Sequence, residues 1–121
     1  MEPVFRCLPT GQPFLGDSAA AKKYKRPGGY SLSGEEVEKR ARASVKHAKA
    51  DVNRRSFVLG MYELQFGKYQ GCTFKWLLEN ALGYAAFIST EVKKETQTKA
   101  PLSINKFALL VSFDLIKVYL P

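Results

Sequence analysis

FGKYQGCTFKWLLEN, residues 66–80, is the stretch on which the fold turns. Gly67 and Gly71 bracket Lys68, Tyr69 and Gln70, and just upstream Tyr62, Leu64 and Phe66 alternate with Glu63 and Gln65. Such alternation is the period-two mark of a half-buried strand. Glycine adopts positive φ without a Cβ penalty and lets a chain reverse tightly. The spacing therefore predicts a small β-hairpin whose second strand runs through Cys72 to Phe74. Thr73 then caps a helix in which Phe74, Leu77, Leu78 and Ala81 share a face. The glycine spacing is neither a phosphate loop ending in G-K-[ST] nor a three-glycine dinucleotide fingerprint.

A hairpin turn projects its middle side chains, so Lys68 and Lys75 are expected near each other with Tyr69 between them. Lysines beside an aromatic ring on such a surface suit phosphate contact with base stacking. Phe66, Phe74 and Trp76 read as core, with a cover over the hairpin as the other place for Trp76. Tyr69 is open to either reading.

Upstream, SGEE opens a helix: Ser33 caps it, Glu36 reaches back to the cap, and the acidic first turn suits the positive helix end. Its apolar stripe is narrow and small, Val37, Ala41, Val45, Ala48 and Val52, leaving a wide face with Lys39, Arg40, Arg42, Lys46, His47, Lys49, Arg54 and Arg55. These cations suit either a helix C-terminus or an anion-binding face. The whole chain carries a net charge of +8, which favours polyanionic partners. Before this helix, residues 1–33 hold Pro3, Pro9, Pro13 and Pro27 with no sustained periodicity, and read as a flexible tail. Within the tail, KKYKR (Lys22–Arg26) is either a solvated cluster, an import address or a phosphate-contacting arm.

Downstream of the glycines, Gly83 reads as a helix stop. Tyr84, Phe87, Ile88 and Val92 then form the inner face of a further helix. Ser103 caps a last one in which Ile104, Phe107, Ala108, Val111 and Leu115 keep helical spacing.

An enzyme needs a constellation, and none is visible. His47 has no paired nucleophile, Cys7 and Cys72 lie far apart, and no Cys/His set spells a zinc site. Cys72, beside two lysines and a helix start, is either a thiol of lowered pKa or an inert buried one. The chain opens without a secretory signal and holds no run long enough to span a bilayer. No cofactor, metal, membrane or small-molecule substrate is expected, and an intracellular, nuclear rather than cytoplasmic, setting follows.

FGKYQGCTFKWLLENALGYAAFI also resembles a module written F-G-K-[YH]-x-G-x-T-[FL]…Y-x-x-[FW]-[IL]. That module is found at the C-terminus of exonuclease X-type proteins and in proteins labelled quorum-sensing-regulated virulence factors. Phe66, Gly67, Lys68, Tyr69, Gly71, Thr73, Phe74, Tyr84, Phe87 and Ile88 carry the resemblance. The longer context is similar to uncharacterised fish and invertebrate proteins of mobile-element-like character. The resemblance implies a hairpin followed by helices and an accessory nucleic-acid-binding role. It does not imply nuclease activity, because no exonuclease motif is present.

The reading is an α+β fold: a β-hairpin packed by three to four helices behind a disordered basic tail. Its parts are a tail (1–33), a basic amphipathic helix (34–56) and a small α+β module (57–121). The expected function is non-catalytic nucleic-acid binding, DNA or RNA. Lys68, Lys75, Arg54, Arg55, Lys46 and Lys49 would meet phosphates and Tyr69 would stack. A protein-interaction module, or a piece of a larger protein, is the alternative.

Overall fold

The computed structural model describes residues 1–116, so residues 117–121 of the expected 57–121 module lie outside it. Six helices form among the described residues: α1 (Ala19–Lys23), α2 (Gly34–His47), α3 (Arg55–Gly60), α4 (Phe74–Asn80), α5 (Leu82–Val92) and α6 (Pro101–Ile116). Among the described residues there is no β-strand, only two isolated bridges, Cys7 with Pro13 and Glu63 with Thr73. The expected α+β class with a hairpin is thereby corrected to a helical fold.

The reason lies in where the backbone of residues 61–73 finds its partners. The chain does double back: Leu64 N donates to Cys72 O, Gly71 N to Leu64 O and Phe74 N to Tyr62 O. Both turn glycines take positive φ, 72° at Gly67 and 94° at Gly71, as a tight reversal requires. The ladder ends after one bridge, because Thr73 already caps α4, and side chains take the polar groups along the opposite edge. Gln65 N donates to Asn105 Oδ1 at 2.9 Å, and Asn105 Nδ2 donates to Glu63 O at 3.0 Å. Gln65, expected to face solvent, is 5 % exposed, and its Oε1 accepts from Leu32 N at 2.6 Å. Every buried backbone group must be paired, and here a buried amide pair does what a neighbouring strand would do.

Ser33 caps α2 by accepting from Glu36 N at 3.2 Å. The Glu36 carboxylate does not return to the cap but turns outward to Arg40 Nε at 3.1 Å. Val37, Ala41 and Val45 are buried as the stripe predicts. The helix stops at His47 instead of running to residue 56. Lys49 stands at φ 58°, with Ala50 N bonded to Val45 O and Lys49 N to Lys46 O, the paired bonds of a left-handed helix terminus.

Thr73 caps α4 through Trp76 N at 3.1 Å, as the sequence predicts. The break between α4 and α5 falls at Ala81 (φ −147°) and not at Gly83, which lies inside α5. Gly83 is small for another reason: a Cβ there would sit 2.6 Å from the Leu15 carbonyl oxygen, which its own N–H bonds at 2.9 Å. In α5 the buried residues are Leu82, Ala85, Ser89 and Val92, while Phe87, expected inside, is 60 % exposed. Pro101 starts α6, where a missing N–H costs nothing. Ser103 is not its cap, since its Oγ instead accepts from Thr98 N. The face α6 buries is Asn105, Leu109, Ser112, Phe113 and Ile116, which leaves Val111 and Leu115 half exposed. α5 and α6 make the most extensive helix–helix contact, and α3, α4 and α2 close around α6.

The N-terminal stretch is bound to this core and is not a disordered tail. Arg6 donates to the carbonyls of Glu79 (2.8 Å) and Asn80 (3.0 Å), covering the open end of α4. Ser18 N donates to Asn80 O, and Val4 N to Glu79 Oε2 at 2.8 Å. Apart from the short α1 this stretch forms no helix or strand, yet such a chain can be ordered through polar anchors that composition alone does not display.

Candidate nucleic-acid interface

Tyr69 is 2 % exposed, and its hydroxyl donates to Asp17 Oδ2 at 2.8 Å. Burial, then the Asp17 carboxylate, push its phenol up to about 12. Its ring meets Tyr84 edge-on at 5.0 Å, Trp76 at 5.8 Å and Tyr24 at 6.2 Å. A ring enclosed in that way has no face for a base, so the stacking role assigned to Tyr69 is withdrawn.

The expected cations do not assemble into one patch. Lys75 is half-buried in α4, bonded to Glu79 at 2.9 Å and lining a groove with Met1, Phe57 and Gly60. Lys68 is exposed on the glycine loop, 3.8 Å from Asp17 and 5.5 Å from the Tyr84 ring centre. These two lysines share no partner. Arg54 pairs with Glu2 at 3.1 Å and covers the Phe57 ring at 4.5 Å. Arg55 is held at 2.6 Å by Glu38, which also accepts from the Tyr62 hydroxyl, so this guanidinium helps fasten α3 to α2. Lys46 and Lys49 are exposed at the end of α2.

The structure gathers a different set. KKYKR, within the stretch read as a flexible tail, is fastened to the glycine loop by its central aromatic residue. The Tyr24 hydroxyl donates to the Gln70 carbonyl, and its ring packs against Trp76 at 5.8 Å. A Cβ on Gly71 would come within 2.9 Å of the Tyr24 hydroxyl, so this glycine makes room for the strap as well as for the turn. Arg26 then donates to Gly67 O at 3.4 Å, next in sequence to Lys68. Lys22, Lys23, Lys25, Arg26 and Lys68 are all exposed. Only Lys68 among them has an ion-pair partner within the described residues. The signal that could have found this docking is the tyrosine in the middle of the basic cluster, an anchor with an apolar body and a polar tip.

Burial pushes the Cys72 thiol above its usual range, opposite to the shift that activates a nucleophile. Among the described residues no three His, Cys, Asp or Glu side chains gather as a metal set, and no helix is long and apolar enough to cross a membrane. Comparisons with protein-family models, with curated proteins and with solved structures find no match for this chain.

Proposed function

We propose that the protein is a non-catalytic nucleic-acid-binding module that holds the phosphate backbone with Lys22, Lys23, Lys25, Arg26 and Lys68. The observation that carries this reading is the docking of Tyr24, which fixes four unpaired cations beside a fifth on the glycine loop. Cations held in place lose less entropy on meeting phosphates than the same charges on a free tail. The net charge of +8 draws a polyanion toward any face, and the strap supplies a place for it to settle. Lys75 and Arg55 serve the fold in this account, and the end of α2 adds long-range attraction.

The test is fluorescence anisotropy of labelled oligonucleotides at several salt concentrations. Wild type is compared with K22A/K23A/K25A/R26A, which keeps Tyr24, and with K39A/K46A on α2. Each phosphate contact contributes about 0.9 to the logarithmic salt slope on duplex and about 0.7 on a single strand. The strap variant is expected to lose a slope of about two to three, and the α2 variant less than one. A larger loss in the α2 variant moves the interface to that helix, and no wild-type binding at moderate salt defeats the nucleic-acid reading.

A further inference from the structure

Tyr30 is 98 % exposed, the most exposed of the large apolar or aromatic side chains among the described residues. Its position in the chain is specific. It ends the four-residue bridge PGGY that follows Arg26 directly. Both ends of the bridge are anchored. On one side Tyr24 and Arg26 bond the carbonyls of Gln70 and Gly67. On the other, Ser31 Oγ donates to Gln65 O at 3.2 Å and Leu32 N to Gln65 Oε1 at 2.6 Å. Gly29, at φ 125°, lets the bridge arch outward where a side chain would be strained. The ring also borders an open hollow of about 150 Å³, whose other walls include Arg40, Gln65, Gln70 and Gly71.

We infer that the ligand is a single-stranded nucleic acid, with an unpaired base stacked on Tyr30 while the neighbouring backbone runs over Lys25, Arg26 and Lys68. This rests on the phosphate-binding reading of the strap and adds the form of the ligand. A single strand offers base faces to an exposed ring, and such stacking tolerates any sequence. In a duplex those faces are stacked and paired, and exposing one requires unstacking a base. Arg40 is engaged by Glu36 and Glu63 in front of the hollow, so the wall there is charge-balanced while the strap beside it is cationic. The stacking role expected of Tyr69 is thereby assigned to a tyrosine that is free to perform it.

The experiment compares wild type, Tyr30→Ala and Tyr30→Phe on single-stranded DNA, single-stranded RNA of the same sequence, and duplex DNA. Tyr30→Ala is expected to weaken single-strand binding roughly tenfold, with the salt slope unchanged because no charge is lost. Duplex affinity is expected to change less than twofold, and Tyr30→Phe to restore single-strand binding. The DNA and RNA arms decide the sugar. If wild type binds single strand and duplex alike and Tyr30→Ala leaves both unchanged, this inference falls while the phosphate-binding strap stands. If wild type binds none of the three, both fall together.

Discussion

Lys49 is the one non-glycine residue among those described that stands at positive φ, 58°, where it turns the chain out of α2. A side chain in that conformation costs about 1 kcal/mol relative to glycine. Lys49→Gly is therefore expected to raise stability by about 1 kcal/mol, read as a higher urea midpoint at unchanged slope. A lower midpoint would show that the lysine does more than tolerate its position. Ser89 poses the opposite question. Its Oγ is buried in α5 with no hydrogen-bond partner among the described residues. An orphaned buried hydroxyl costs about 1 kcal/mol or more, so Ser89→Ala is expected to stabilise by about that amount in the same assay. Destabilisation would reveal a partner for the hydroxyl. Caps are the residue-scale features most legible in sequence: Ser33 and Thr73 both do what their spacing announces, because capping depends only on the next three residues. The sequence leaves Tyr69 open between a stacking ring and a core one, since its partners Asp17 and Tyr24 come from 45 or more residues away in the chain.

At the scale of elements, α2 and α3 are joined through Glu38, which accepts from Arg55 and Tyr62 and pairs with Arg42 at 3.3 Å. Burial alone would raise its carboxyl, but the Tyr62 and Arg55 hydrogen bonds, with the charges of Arg55 and Arg42, hold it below the usual range. A depressed carboxyl stabilises the fold at neutral pH, and that contribution is lost as pH falls through the folded-state value. Glu38→Gln is expected to be less stable than wild type near pH 7, with the gap closing below about pH 4. Urea midpoints across an acid series measure it, and a gap that persists unchanged at low pH would place the effect in packing instead of charge. The elements were unevenly legible. The α2 stripe of Val37, Ala41 and Val45 could be read because a polar face opposes it. In α6 apolar residues lie nearly all round, so the spacing of Ile104, Phe107, Ala108, Val111 and Leu115 does not pick out the buried face, which includes polar Asn105 and Ser112. The reason is specific: Asn105 satisfies the backbone at Glu63 and Gln65, a demand that periodicity does not register. The alternating pattern yields a single bridge because its partner segment turns into α4 at Thr73.

At the scale of the whole molecule, the N-terminal third is a strap that closes the helical core. Arg6 covers the end of α4, Leu15 meets Gly83, Asp17 accepts from Tyr69, and Tyr24 sits on the glycine loop. Its order was hidden because prolines and glycines erase periodicity, while the contacts that fix it are polar and distant in sequence. Its cations were plain in the sequence, but their fixed position was not. On the proposed reading position matters: docked on the loop, KKYKR would be an interface, whereas undocked it would be only charge. Tyr24→Ala tests this most directly, because it releases the strap and leaves every charge in place. With circular dichroism confirming a folded helical core, oligonucleotide anisotropy at moderate salt is expected to show affinity roughly tenfold weaker than wild type, as ordering a freed segment would cost. Wild-type affinity in Tyr24→Ala would contradict the account, for it would mean that the basic cluster binds as a tail and the fold beneath it contributes nothing.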